Sequence, residues 1–195
     1  MEEHVRLALI DLDNTVADLS GSLSVQMLRL QAPGEPPYQD RYTGGKEPDY
    51  IEQRRKLIMR QPGFWRGLPL LRLGIEIVCV LREEGFALHV LTKGPQNNAG
   101  AWGEKLEWAR DHLPDAIVTV TGDKSIAYGR ILVDDYPPYF LPWLQHRPRG
   151  LAICVAQPHN EQFAMRGAES NPRVFRYDGK NLTELRAAIR EARDR

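Results

Sequence analysis

Short apolar runs alternate with longer amphipathic stretches along this chain, and that alternation restricts the fold more than any other feature. Val5–Ile10, Phe86–Leu91, Ala116–Val120, Arg130–Val133 and Gly150–Ala156 are runs of strand length, and Arg173–Tyr177 reads as a short edge strand. Nearly continuous apolar runs of this kind belong to strands buried on both faces. Between them, Leu70, Leu73, Ile77 and Val80/Leu81 recur at helical spacing, from a first turn at Pro69 to a stop at Gly85. Trp102, Leu106, Ala109 and Leu113 form a second apolar face, ended by Pro114. Lys124–Tyr128 reads as a helical turn and Pro137–Leu144 as a short aromatic helix. The last helix starts at Asn181, an N-cap residue with Glu184 three positions on. Strands alternating with helices predict a parallel sheet covered on both faces.

The first apolar run ends in Asp11-Leu12-Asp13-Asn14-Thr15. Strand alternation turns Asp11 and Asp13 to the same side as they emerge at the carboxyl end, which is where open α/β sheets bind ligands. Two carboxylates held together there repel unless a cation lies between them, and a hard divalent ion such as Mg2+ suits that place. Taken alone, an Asp-x-Asp after a strand is more often a turn than a metal site.

From Val16 to about residue 66 the composition changes. Leu19, Leu23, Val25, Met27, Leu28 and Leu30 follow a helical pattern; Ala32–Gly45 is broken by Pro33, Gly34, Pro36, Pro37, Gly44 and Gly45; a polar, basic helix is expected from about Pro48 to Arg60. Residues 16–66 therefore read as a helical insertion over the strand ends, with residues 1–15 and 67–195 forming the core domain. The formal net charge is zero, so no global basic field attracts long nucleic acid. Nothing at the amino terminus reads as an export signal and no stretch reaches membrane-span length, so a cytoplasmic protein without a membrane partner is expected. Cys79 and Cys154 both lie in apolar runs and are expected as buried free thiols in a reducing compartment.

Polar groups recur at the other strand ends. Thr92, Lys93 and Gly94 follow the second run, Lys124 stands ten residues before Asp134, and Asp134-Asp135 close the fourth. Each element alone has an ordinary explanation: a cap, a surface charge, a turn. Their order and spacing together resemble the haloacid dehalogenase superfamily of phosphotransferases, whose Asp-x-Asp-x-Thr, hydroxyl, lysine and acidic-pair motifs match Asp11–Thr15, Thr92, Lys124 and Asp134-Asp135. A closer resemblance is to the 5′(3′)-deoxyribonucleotidases, carried by Pro62-Gly63-Phe64-Trp65 with Leu68-Pro69, by Thr121-Gly122-Asp123-Lys124 and by Gln157-Pro158-His159-Asn160. Asn14 stands where that family has glycine, Leu19 where an aromatic flanks the base, Lys93 where serine is usual and Gly122 where a basic residue is frequent. These departures bear on base and sugar preference rather than on phosphoryl chemistry.

The resemblance implies a Rossmann-like three-layer α/β core with a mostly parallel sheet, a small helical cap after the first strand, and an Mg2+-dependent phosphatase acting on nucleoside monophosphates. Asp11 would be the nucleophile, Asp13 the acid–base, and Thr92 with the backbone N–H groups near Lys93 and Gly94 the cradle for the phosphoryl oxygens. Lys124 would offset the charge, and Asp11, Asp13, Asp134 and Asp135 would hold the metal. Phe64 and Trp65 have two readings, stacking on a nucleobase or packing the cap onto the core; Arg41, with Tyr42 and Lys46, lies in a loop that can reach substrate. Trp102 is expected in the core and His159 in a loop, away from any metal. Alternative functions are a phosphatase for nucleic-acid 3′-phosphate ends or another small phosphomonoester, and a catalytically silent protein that holds a phosphorylated ligand. A homodimer is the assembly left open.

Overall fold

The computed structural model describes residues 6–38, 48–161 and 171–195, and among these six strands lie parallel in one sheet. In chain order the elements are β1 (Leu7–Ile10), α1 (Leu19–Arg29), α2 (Asp49–Met59), α3 (Arg72–Glu83), β2 (Ala87–Thr92), α4 (Ala99–His112), β3 (Ile117–Val120), β4 (Ile131–Asp134), α5 (Pro137–Gln145), β5 (Leu151–Val155), β6 (Val174–Tyr177) and α6 (Leu182–Asp194). The strand order β3-β2-β1-β4-β5-β6 runs outward to one side from β1 and then back to the other. That reversal opens a crevice between the carboxyl ends of β1 and β4, the place where doubly wound sheets take ligands. β1 and β4 pair in register, Ala8 with Ile131 and Ile10 with Val133, and the pairing runs on through the Asp11 N–H to the Val133 carbonyl at 2.9 Å.

Side-chain alternation divides the core. Ala8 and Ile10, with Leu88, Val90 and Val133, pack on the face covered by Ile77 and Leu81 of α3, Trp108 of α4, and Leu185 and Ile189 of α6. Leu9, Leu132 and Cys154 point the other way, onto Phe140, Trp143 and Leu144 of α5. The result is a three-layer α/β sandwich. Each fully buried Leu, Ile or Phe contributes about 1.5–3 kcal/mol, so these two layers supply most of the stability. Among the described residues no helix is long and apolar enough to cross a membrane.

α1 and α2 lie over the strand ends and share a small cluster of their own, Leu23, Met27, Ile51 and Ile58. Asp18 caps α1 through the Gly21 N–H at 2.8 Å. At the far end of α2 the Met59 carbonyl accepts from the Trp65 indole at 2.8 Å and from the Asn98 amide at 2.9 Å, so its end is tied to the start of α4.

Four local expectations are corrected. α3 begins at Arg72, because the Pro69 carbonyl and the Leu71 N–H are taken by Asp18 and Val16 in a strand-like bridge. Cys79 is exposed, since the buried positions Ile77, Val78, Val80 and Leu81 leave it on the outer side of α3. Trp102 is 41% exposed, because the buried face of α4 is Ala101, Lys105, Trp108 and Ala109, one position off the apolar pattern. Asn181 occupies the N-cap position of α6, but its side chain holds the preceding turn through Arg176 and Asp178 and does not cap the helix.

Candidate active site

The turn after β1 is built to present its carboxylates. The N–H groups of Thr15, Val16 and Ala17 converge on the Leu12 carbonyl at 2.8–3.2 Å. Asn14 is forced to φ 55°, the left-handed region that glycine enters freely and asparagine tolerates better than other residues. That conformation accounts for asparagine at a position where the resembling family has glycine. Its side chain accepts from Ser20 N at 2.8 Å and its carbonyl accepts from the Gln157 amide at 2.8 Å, so the turn is held from both sides. Gly74 of α3 lies so close that a Cβ there would fall 1.8 Å from the Thr15 carbonyl oxygen.

Asp11, buried, meets Lys124 Nζ at 2.7 Å, and the same ammonium reaches Asp134 Oδ2 at 2.6 Å. Lys124 comes from a single helical turn after β3, Lys124–Ile126, begun by Asp123. Burial pulls its pKa down, but the Asp11 and Asp134 charges outweigh it and hold the ammonium above the ordinary lysine range. Asp134 ends β4 and its other oxygen accepts from Tyr136 N at 2.9 Å. Burial, with Asp11 and Asp135 nearby, pushes its carboxyl up to about 8 despite Lys124. Asp135 faces the cavity, held by the Thr15 hydroxyl at 3.2 Å and by His159 Nε2 at 2.9 Å. Burial raises its pKa as well.

Oxygens of Asp11, Asp134 and Asp135 all lie within 4.8 Å of one another. Asp11 and Asp134 share Lys124 while Asp135 adds a third buried carboxylate beside them, a concentration of negative charge that a hard divalent cation with oxygen ligands would relieve. The residues present fit such an ion.

Asp13 stands opposite with a different partner. Lys105, 2% exposed, donates to Asp13 Oδ2 at 2.5 Å, to the Lys93 carbonyl at 2.8 Å and to the Thr92 hydroxyl at 3.4 Å. The same ammonium lies 4.6 Å from the centre of the Trp65 ring. Asp13 Oδ1 is buried without a hydrogen-bond partner among the described residues. Burial lifts the Asp13 pKa, Lys105 opposes that rise and Asp11 adds to it.

These groups open into a cavity of about 660 Å³, within the size range of small-molecule sites. Its floor has Asp11, Asp13, Lys124 and Asp135; its walls have Lys93, Gly94, Lys105, Tyr136 and Tyr139; its roof has Leu19, Leu23, Gln53, Arg55, Lys56, Met59, Arg60 and Trp65. The structure thus gathers Asp11, Asp13, Lys93, Gly94, Trp65, Lys124 and Asp135 around one space. Thr92 and Asp134 are fully buried behind the lining. Phe64 is packed edge-on against Trp65 but lines a separate hollow with Asp18, Val25 and Arg29. Arg41, Tyr42 and Lys46 lie outside the described residues.

Sequence reasoning missed Lys105, because a lysine in an amphipathic helix reads as a solvated charge. His159 was expected in a plain loop; it sits in a short helical turn, Pro158–Asn160, with its ring on Asp135. Asn160, also unanticipated, donates to the Asp135 carbonyl at 2.8 Å. The visible signal for both was the polar Gln157–Asn160 run directly after a buried strand.

A family model described as "5' nucleotidase, deoxy (Pyrimidine), cytosolic type C protein" matches residues 5–174. Among solved structures, a haloacid dehalogenase-like hydrolase from Burkholderia xenovorans superposes with a TM-score of 0.57 at 14% identity, covering 94% of this chain and 98% of that one. Comparison with curated proteins gives no match.

Proposed function

From a chain that belongs to the 5' nucleotidase, deoxy (Pyrimidine), cytosolic type C family, a nucleotidase-type hydrolase of haloacid dehalogenase-like fold, we propose an Mg2+-dependent enzyme of the cytoplasm. It cleaves nucleoside monophosphates, preferentially deoxyribonucleotides, to nucleoside and phosphate. The observation that carries this reading is the convergence of Asp11, Lys124, Asp134 and Asp135 on one point at the sheet's reversal, with Asp13 across from them on its own lysine.

Asp11 is the nucleophile. One of its oxygens attacks phosphorus, the bond from phosphorus to the nucleoside oxygen breaks, and an aspartyl-phosphate forms. A carboxylate approaching a phosphate meets a repulsion of about 4 kcal/mol per charge pair at ~4 Å and an effective dielectric of ~20. Lys124, pinned between Asp11 and Asp134, offsets part of it. Mg2+, held by Asp11 and Asp135 with Asp134 behind them, would supply the remaining charge neutralisation. Asp13, whose pKa burial raises, carries the proton for the departing nucleoside oxygen on Oδ1, the oxygen that Lys105 leaves open. It then takes a proton from the water that attacks the aspartyl-phosphate, which frees phosphate and restores Asp11. The backbone N–H groups of Lys93 and Gly94, behind which Thr92 is buried, cradle the phosphoryl oxygens. α1 and α2 act as the cap that excludes water from this step.

Phosphate release from a panel of deoxy- and ribonucleotides with Mg2+ tests the assignment, and Asp11→Asn should lower it by at least about 10³-fold. Equal turnover of sugar phosphates and nucleotides would sink the nucleotide assignment.

A further inference from the structure

Gly94 lines the cavity, and its backbone does not enter the left-handed region that calls for glycine. The reason for glycine there is a neighbour. A Cβ built on Gly94 would run into Cε2, Nε1 and Cδ2 of the Trp102 indole. The ring thus fills the place of a side chain, and its Nε1 donates to the Pro95 carbonyl at 3.0 Å. Trp102 belongs to the first turn of α4 and lies outside the cavity lining. Packing of α4 on the sheet does not call for it, since the buried face of that helix is Ala101, Lys105, Trp108 and Ala109.

The loop under the ring, residues 93–98, is held by its carbonyls. The Thr92 carbonyl before it accepts from Thr121 N at 2.9 Å, and the Lys93 carbonyl from Lys105 Nζ at 2.8 Å. The Pro95 carbonyl accepts from Asn98 N at 3.3 Å as well as from the indole. Among the described residues no acceptor meets the N–H groups of Lys93 and Gly94. Such donors stabilise developing charge only when they are fixed before the reaction. Glycine is the residue whose backbone is least restrained on its own, so Gly94 depends on an outside wall.

We propose that Trp102 is a positioning residue for phosphoryl transfer: its indole is the wall that holds the Lys93 and Gly94 N–H groups on the phosphoryl oxygens. The proposal rests on the phosphomonoesterase reading above. Trp102 acts only through Gly94 and Pro95. A misplacement of about 1 Å in such a cradle costs on the order of 10²-fold in rate.

The test compares the native protein with Trp102→Phe, Trp102→Ala, Gly94→Ala and the double variant Gly94→Ala/Trp102→Ala. For each, kcat/KM with Mg2+ is measured on p-nitrophenyl phosphate and on a deoxynucleoside 5′-monophosphate, and calorimetry gives the affinity for inorganic phosphate with Mg2+. Circular dichroism and thermal unfolding check the fold, which a 41% exposed side chain does not hold together. Trp102→Ala should lower kcat/KM on both esters by about 10- to 10²-fold and weaken phosphate severalfold. Trp102→Phe keeps a ring but loses the bond to Pro95, and should fall between native and Trp102→Ala. Gly94→Ala alone should lose activity because its methyl group meets the indole. Added to Trp102→Ala, the same methyl group has room, so its further cost should be smaller than in the native background. Kinetics and phosphate affinity of Trp102→Ala within about twofold of native, or strictly additive losses in the double variant, overturn the proposal even if the Tm falls. A native protein that binds phosphate but hydrolyses neither ester rejects the phosphomonoesterase reading, and the phosphate affinities of the variants then decide the role of Trp102 by themselves.

Discussion

Lys105 holds a carboxylate, a hydroxyl and a carbonyl with one ammonium, while the Trp65 ring covers it. Its removal would free Asp13 to rotate and leave three polar groups short of a donor. Lys105→Met should therefore lower kcat on nucleotides by about 10²-fold, the low end of acid–base contributions. The loss should be smaller on p-nitrophenyl phosphate, whose leaving group departs with little need of a proton; an equal loss on both would mean that Lys105 only supports the fold. Asp11, Asp13, Lys124 and Asp134-Asp135 were legible because each ends or follows a run of strand length, so topology alone brings them together. Lys105 was not legible, because its burial depends on which side of α4 faces the sheet, and Trp102 and Leu106 suggested a face one position away. Asn14 was legible as a departure from glycine, but its reason, a left-handed backbone, is a property of geometry.

Two helix contacts set the stability of the frame. Gly74 lets α3 press against the Thr15 backbone, where a methyl group has no room. Gly74→Ala should cost about 1–3 kcal/mol, the range for overpacking, and should also lower activity, because the strain falls on the turn that carries Asp13; thermal unfolding and phosphate release measured on one preparation check both. At the other end of α3, Glu84 is buried under three arginines of α6: Arg190 at 2.9 Å, Arg193 at 3.0 Å and Arg186 at 3.4 Å. Glu84→Gln leaves these cations facing one another and should destabilise the protein by about 1–3 kcal/mol with kcat unchanged, since the contact lies away from the cavity. The existence of α1, α3 and α4 was readable from apolar period. The start of α3 was not, because Pro69 suits a helical first turn yet serves the bridge to Ala17 through its neighbours, a tertiary pairing that local propensity does not contain.

At the scale of the molecule, the parallel sheet and its two coverings follow from the succession of elements, whereas the placement of α1 and α2 over the crevice depends on single residues. Glu104, adjacent to Lys105 on α4, accepts from the N–H groups of Gly63, Trp65 and Arg66 at 2.7, 2.9 and 3.4 Å. One carboxylate of α4 thereby fastens the segment that leads from α2 to α3. Those three amides lie at the boundary between α2 and α3, and they should act as its clock. In hydrogen–deuterium exchange their rate should report how often the boundary opens, slowing when phosphate and Mg2+ are added although neither touches them. Glu104→Gln should speed them while amides in β1 and β4 keep their native rate; equal acceleration in the strands would mean that the boundary opens only when the whole protein does.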